Sequence, residues 1–417
     1  MASRTRVIDK SEMKSYEAFA EFKPDIMIAF EEALKIIARE PVRLGTENRL
    51  LHDACGMVLA EDVFSDTDMP PFNKSAMDGF ACRRSDLDSR LEIIETISAG
   101  DIPQKRIGKG QCSRIMTGAR VPDEADCVVM VEHTEADGEG YIRFSGIKTA
   151  VNIALRGEDI KKGDLALPGG TLLKPQHIAI LASVGCTRPK VYRQPGVAVL
   201  TTGDEIVEPH IKPSGTHIRN SNGPQLVAQI NGMGAVAGYR GIVGDTPEIT
   251  GSAIEKALSG SDMIILTGGV SMGDFDFVPS ALQENGVTLF FEKVAVKPGR
   301  PTVFGRKGDV FVFGLPGNPV SSFIIFELMV KPLLYRMMGY NFKAPAMKLP
   351  MGMDFSRRKA DRIAWTPVYL NNDGEIMPAD YHGSAHIHAL GGAWGLMGMP
   401  AGVFAYKKGD LVDVRQI

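Results

Sequence analysis

Three short segments combine glycine, hydroxyl and acidic residues as an anion site would require: Thr201-Thr202-Gly203-Asp204-Glu205, Thr267-Gly268-Gly269-Val270-Ser271-Met272-Gly273-Asp274 and Gly314-Leu315-Pro316-Gly317-Asn318-Pro319. Glycine lets backbone N–H groups come close to an anion. Asn318 is placed to cap a helix whose first position is Pro319, which would aim a positive helix end at the same rim. The cations Lys293, Lys297 and Arg300 gather around Val296-Lys297-Pro298-Gly299-Arg300-Pro301, where proline and glycine restrict the backbone. Beside these donors lie Asp204, Glu205, Asp245, Asp274 and Asp276. Carboxylates repel a phosphate unless a divalent cation intervenes, and oxygen donors favour Mg²⁺ held by one or two carboxylates plus substrate phosphates. The residues alone therefore point to metal-assisted chemistry on a phosphorylated ligand. No Gly-x-x-x-x-Gly-Lys-Ser/Thr loop occurs, and the loose Gly232, Gly234, Ala237 pattern precedes a strand instead of following one, which fits a dinucleotide fold poorly.

These loops need strands to carry them. Apolar runs at Val197–Leu200, Met263–Leu266 and Val310–Phe313 lead directly into them. Helical stretches beginning at Pro224, Pro247, Val278 and Pro319 alternate with these strands and with the strand-like Ala235–Val243 and Thr288–Val296. This alternation predicts a parallel sheet covered on both faces, with its ligand at the carboxyl ends of the strands. The last helix is expected to run from Pro319 to Met338. Upstream, Phe30, Ala33, Leu34 and Ile37 form the stripe of an amphipathic helix. Short β-branched runs between Gly, Asp and Pro, such as Leu91–Ile97, Cys127–Glu132 and Tyr141–Phe144, predict a mostly β region over 65–164. Short strands return after 345, with Lys408-Gly409-Asp410 as a hairpin turn between Val403–Tyr406 and Leu411–Val414. The expected division is a polar extension (1–23), a linker domain (24–64 and 165–193), an inserted β domain (65–164), an α/β domain (194–344) and a C-terminal β domain (345–417).

At 417 residues the chain is too long for one small core. A formal net charge of −3 argues against a general nucleic-acid binder. Cys55, Cys82, Cys112, Cys127 and Cys186 are odd in number and have no Cys-x-x-Cys spacing, so free thiols in a reducing compartment are expected, not a disulfide framework or zinc site. The polar opening residues are no secretory leader, and the apolar stretch Ser321–Leu334 carries Glu327 and Lys331 and is too short to span a bilayer. The expectation is a cytoplasmic protein without membrane contact.

The glycine loops resemble the molybdopterin-binding fold of molybdenum-cofactor synthesis. The stretch Pro70-Pro71-Phe72-Asn73-Lys74-Ser75-Ala76-Met77-Asp78-Gly79-Phe80-Ala81, with Ile115-Met116-Thr117-Gly118-Ala119 and Arg156-Gly157-Glu158-Asp159-Ile160, closely resembles the molybdopterin molybdenumtransferase (MoeA, or gephyrin E-domain) family. The resemblance implies a multidomain α/β plus β chain: a molybdopterin-binding α/β domain with a parallel-rich sheet, an inserted β domain and a small, barrel-like C-terminal β domain. It implies a homodimer whose cleft brings Asp78, Thr117 and Asp159 of one subunit opposite Glu205, Asp245 and the glycine loops of the other.

The implied reaction takes adenylylated molybdopterin and molybdate to molybdenum cofactor and AMP, with Mg²⁺. Asp78, Thr117, Asp159, Glu205 and Asp245 are the implied catalytic set, with Asp78, Glu205 and Asp245 on the metal. Thr202, Gly203, Asp204, Gly268, Gly269, Ser271, Gly273, Asp274, Asp276, Lys293, Lys297, Arg300, Pro316, Gly317, Asn318, Pro319 and Ser321 would hold the pterin nucleotide. Lys297, Arg300, Arg362 and Ser384 match positions linked to the oxyanion. The pterin adenylyltransferase and recipient molybdoenzymes are the implied partners.

The chain departs from the family pattern at several places. Ala154 stands where Asn-x-Arg usually places an arginine, Arg156 lies two residues on, Arg300 replaces a common lysine, and Thr366-Pro367 occupy the region of a second arginine near Arg362. His386 and His388, at i and i+2, could face one side of a strand as a metal pair, or be a plain surface or core pair. Alternative readings are a non-catalytic cofactor carrier or scaffold, an insertase preferring tungstate, and, against the added β domains, a pterin adenylyltransferase.

Overall fold

A computed structural model describes residues 26–40, 44–270 and 277–417. The chain forms two compact units, one of residues 48–55 and 59–191, the other of the preceding residues, 56–58 and 192–417. In the larger unit helix α1 (Phe30–Arg39) buries Phe30, Ala33, Ile36 and Ile37. Glu31 and Glu32 in its first turn and Arg39 in its last complement the helix dipole. Its two ends are tied to the core by the Ile28 N–H to the Lys293 carbonyl and by the Glu40–Arg306 ion pair.

The smaller unit is built on a six-stranded sheet. Its strands are β1 (Gly79–Cys82), β2 (Leu91–Ile97), β3 (Gln111–Ile115), β4 (Cys127–Met130), β5 (Thr134–Ala136) and β6 (Tyr141–Phe144), in the order β4-β1-β3-β2-β6-β5. All four residues of β1 are buried, because apolar clusters cover both faces of the sheet. Helix α2 (Pro175–Ser183) lies in the same unit.

The larger unit holds β7 (Gly196–Thr202), α3 (Asn222–Gly232), β8 (Val236–Val243), α4 (Pro247–Leu258), β9 (Met263–Thr267), α5 (Val278–Glu284), β10 (Thr288–Lys293), β11 (Pro301–Lys307), β12 (Val310–Leu315) and α6 (Pro319–Ile325). The sheet order is β8-β7-β9-β12-β11-β10. The first four strands are parallel, as the alternating pattern requires, and β9 and β12 are buried along nearly their whole length. The sheet is parallel-rich, as expected, and its remaining pairings are antiparallel: β11 pairs antiparallel with both β12 and β10. The cause is a two-residue turn, with Lys307 opposite Val310 and Gly308 at φ 56, the left-handed backbone that tight hairpins use. Phe304 on β11 packs its ring 4.7 Å from Phe313 and 5.6 Å from Phe291. Burying one such ring contributes about 1.5–3 kcal/mol.

The helix expected over 319–338 is interrupted. After α6, a π turn covers Phe326–Val330 before α7 (Lys331–Met337) resumes. Pro332 has no N–H to donate into the preceding turn, and widening that turn accommodates the loss.

A second six-stranded sheet in the larger unit contains β13 (Ala346–Pro350), β14 (Ile363–Leu370), β15 (Gly395–Met399) and β16 (Leu411–Gln416), with Ile376–Pro378 paired to β14 off the main order. Its order is Val296–Lys297, β14, β15, β16, β13, so the cation-bearing loop of the α/β core supplies its edge. The turn at 407–410 forms, with Asp410 N–H on the Lys407 carbonyl at 3.0 Å, but it does not join a hairpin. Ala405–Tyr406 pairs instead with Phe355–Ser356, since both edges of β16 are already occupied by β13 and β15. Nor do His386 and His388 lie on a strand: Ile387–Leu390 is a 3₁₀ turn, and His386 stacks on His382 at 5.0 Å. No helix among the described residues is long and apolar enough to cross a membrane.

Candidate active site

Strands β7, β9 and β12 are adjacent and parallel, so the loops that follow them open side by side at one edge. They line a cavity of about 680 Å³ containing Thr202, Gly203, Glu205, Asp245, Gly268, Gly269, Pro316, Gly317, Asn318 and Pro319. Gly268 has φ +98, and a Cβ there would stand 2.5 Å from the Thr202 carbonyl oxygen. Two strand ends can approach this closely only with glycine at that position. The Thr202 hydroxyl is buried in this cleft and has no hydrogen-bond partner among the described residues. A buried polar atom without a partner costs free energy unless a ligand or water satisfies it.

Asn222 binds the loops to one another. Its side-chain amide donates to Thr267 Oγ1 at 2.8 Å and to the Gly317 carbonyl at 2.7 Å, while Thr267 Oγ1 donates to the Pro316 carbonyl at 3.1 Å. Next to it, Asn220 donates to Thr201 Oγ1 and to the Tyr239 hydroxyl, which in turn donates to Glu208. Burial, with the Glu208 carboxylate beside it, pushes the Tyr239 hydroxyl up to about 12. Arg219, Asn220, Ser221 and Asn222 all line the cavity, and sequence reasoning missed them. The available signal was a polar Asn-Ser-Asn run immediately before an apolar helix, as at a helix start.

The acidic residues separate into roles. Asp204 and Asp245 follow neighbouring strands, and each backbone N–H donates to the other's carboxylate at 3.2 Å. Glu205 is exposed in the cavity, and Asp245 lines it while Asp204 does not. Among the described residues no three His, Cys, Asp or Glu side chains converge to hold a metal by themselves. An all-oxygen pair of this kind fits Mg²⁺, which completes its shell with water and substrate phosphates. Ser271, Gly273, Asp274 and Asp276 lie outside the described residues.

A second cavity of about 570 Å³ adjoins the first, sharing Pro301, Pro316 and Asn318 with it. Lys297, Arg300, Ser321, Arg357, Arg362, Trp365, His382 and Ser384 line it. This brings together the four residues matched to the oxyanion: Lys297, Arg300, Arg362 and Ser384. Lys297 and Arg300 are exposed, whereas Lys293 is only 8% exposed and lines neither cavity. Arg357, absent from the sequence expectation, donates to the carbonyls of Val403, Arg362 and Pro400. Desolvation lowers its guanidinium, and three carbonyls occupy it, so it braces the cavity wall.

The start of α6 differs from expectation. Asn318 has the extended backbone of a cap, but its side chain makes no capping bond. It donates instead to Ser384 Oγ at 2.9 Å, and the Val320 N–H donates to the Ser384 carbonyl at 3.0 Å. Two donors at the helix start are thus given to Ser384.

In the smaller unit, Asp78 and Thr117 are brought together. The Thr117 N–H and hydroxyl donate to Asp78 Oδ1 at 2.6 and 2.8 Å. Those bonds, the backbone one first, hold the Asp78 carboxyl below its ordinary range. Asp159 is exposed, with its N–H on the Met69 carbonyl at 3.0 Å. Arg156 is paired with Asp68 at 2.7 Å. Ala154 lies directly opposite Lys74 on the paired strand, so a cation stands on that face although the arginine is missing.

Residues 28–185 match the family described as MoeA N-terminal region (domain I and II), and residues 198–336 match the probable molybdopterin binding domain. The molybdopterin molybdenumtransferase of Staphylococcus epidermidis is 36% identical over 93% of this chain and 95% of its own length. That of Bacillus subtilis is 33% identical, covering 93% of both chains. The crystal structure of a molybdopterin biosynthesis MoeA protein from Pyrococcus horikoshii superposes with a TM-score of 0.78 at 31% identity, over 94% of this chain and 99% of that one. The chain belongs to the molybdopterin molybdenumtransferase family.

Proposed function

We propose that this protein inserts molybdenum into molybdopterin, taking adenylylated molybdopterin and molybdate and releasing AMP. The observation that carries this reading is the adjacency of two chemically distinct cavities sharing Pro301, Pro316 and Asn318. One offers glycine-loop amides and a Thr202 hydroxyl with no partner among the described residues, which suit a phosphorylated pterin. The other offers Lys297, Arg300, Arg362 and Ser384, a cationic and hydroxyl set suited to a tetrahedral dianion. Holding both substrates side by side supplies the proximity that the joining step needs.

In this reading Glu205 and Asp245 would hold Mg²⁺, which would neutralise charge on the phosphoanhydride. Glu205 and Asp245 would orient an attacking water by accepting its hydrogen bonds, whereas an attacking molybdate oxygen would be directed by the cation they hold. An oxygen of water or molybdate bonds to phosphorus as the phosphoanhydride P–O bond breaks and AMP leaves, and the two pterin dithiolate sulfurs bond to molybdenum, displacing molybdate oxygens that depart as water. Asp78, Thr117 and Asp159 are assigned to the same reaction, contributed by the second subunit of a homodimer. The pterin adenylyltransferase would supply the substrate, and recipient molybdoenzymes would take the product. A cytoplasmic location is part of the same proposal.

The test mixes purified protein with adenylylated molybdopterin, Mg²⁺ and either molybdate or tungstate, and measures AMP. Molybdate-dependent release supports the insertase. Tight pterin binding without oxyanion-dependent release would instead make the protein a carrier.

A further inference from the structure

We propose that Asn318 is a positioning residue for the oxyanion, acting by fixing the direction of the Ser384 hydroxyl. The inference rests on reading the cavity around Lys297, Arg300 and Arg362 as the oxyanion site. Asn318 stands at a helix start, where an asparagine side chain ordinarily turns back to accept a backbone N–H. Here that bond is absent, and the side-chain amide reaches Ser384 Oγ at 2.9 Å. A serine hydroxyl has one hydrogen and two lone pairs, and an amide nitrogen donates but does not accept. With Asn318 Nδ2 donating into one lone pair, the hydroxyl hydrogen must point away from Asn318.

Ser384 lines the cationic cavity, so its remaining donor is available to an anion held there. The backbone at Ser384 is fixed from the same helix start, by the Val320 N–H on its carbonyl at 3.0 Å. Both anchors of Ser384 therefore come from one three-residue segment, Asn318–Val320, whose preceding residue Gly317 lines the neighbouring pterin cavity. Asn318 lines both cavities. The geometry makes Asn318 the link through which the pterin-side loop sets the donor aimed at the oxyanion.

A double-mutant cycle tests this. Asn318→Ala, Ser384→Ala and the double variant are compared with the unaltered protein for the molybdate KM of AMP release. If Asn318 acts through Ser384, each single change raises that KM about tenfold, and by more than kcat falls, while the double variant stays within about twofold of Ser384→Ala alone. Asn318→Asp, which keeps the shape but can only accept, draws the hydroxyl proton toward itself and raises the KM further than Asn318→Ala. Penalties that multiply to about a hundredfold in the double variant overturn the proposal, because the two residues would then act independently. So does an unchanged molybdate KM in Asn318→Ala.

The same four proteins are titrated calorimetrically with molybdate alone. Should the unaltered protein release no AMP, the insertase reading fails, and the calorimetric cycle still decides the inference by the same criterion. Absence of any molybdate binding by the unaltered protein overturns both.

Discussion

Asp204 and Asp245 are joined by two reciprocal hydrogen bonds, each residue's backbone N–H donating to the other's carboxylate at 3.2 Å. They sit on the loops after neighbouring parallel strands, so the exchange fixes the spacing of those loops and keeps two negative charges near one another. Like charges at such a position are tolerated when N–H donors face them and a cation completes the site. The Asp204–Asp245 exchange therefore fixes the loop that carries Asp245, one of the two proposed Mg²⁺ ligands.

Removing charge there is expected to cost turnover more than stability. Asp245→Asn retains an acceptor oxygen for the Asp204 N–H but loses the charge. AMP release should fall by at least about 100-fold, while the unfolding midpoint moves only a few degrees. Glu205→Gln should likewise abolish turnover and leave the fold intact. Near-normal activity in either variant would remove that residue from the mechanism.

Gly268→Ala is expected to damage both fold and binding. The added Cβ would meet the Thr202 carbonyl at 2.5 Å in a left-handed backbone, φ +98. A loss of about 1–3 kcal/mol in denaturant unfolding should accompany loss of pterin binding followed by fluorescence. A variant as stable as its parent would show that the strand ends relax without cost.

The Asp78–Thr117 pair carries a pH dependence. Its two hydrogen bonds lower the Asp78 carboxyl from an ordinary value of 3.8 in the folded state. The stabilisation they give is therefore fully present above that ordinary value and is lost as pH falls through the lower folded one. Thr117→Val deletes the hydroxyl donor and keeps the backbone N–H. The Asp78 titration, followed by carboxyl NMR, should move upward toward the ordinary value. An unmoved titration would mean that the hydroxyl bond has no influence in solution.

Arg357→Met should loosen the wall of the cationic cavity without touching the anion. Three carbonyls lose their donor, that of Arg362 among them. Unfolding should be easier by about 2–3 kcal/mol, with a raised molybdate KM as Arg362 loses its brace. Unchanged stability would show that water replaces the guanidinium at no cost.

Much of this was legible in the sequence, and the reasons for the rest are physical. Apolar runs followed by glycine marked β7, β9 and β12, because a buried parallel strand has no polar alternation to blur it. Strand β11 went unread although Gly308-Asp309 between two apolar runs is a hairpin signal; the preceding proline-rich cation loop masked where the strand begins. The turn at 407–410 was located correctly and its partner strand was not, since turn chemistry is local whereas pairing depends on which sheet edges remain open. Arg357 and Asn222 were invisible for the same reason. Their roles lie in carbonyls and hydroxyls remote in sequence. The position of Asn318 predicts a cap, but only the structure reveals that its side-chain N–H donates to Ser384 Oγ and its oxygen makes no capping bond.

The most direct measurement is a crystal of the protein soaked with adenylylated molybdopterin. Density for the pterin phosphate is expected at the carboxyl ends of β7, β9 and β12, within hydrogen-bonding distance of the Thr202 hydroxyl and the Gly268 and Gly317 loops. A ligand bound elsewhere, with the Thr202 hydroxyl still lacking a partner, would contradict it.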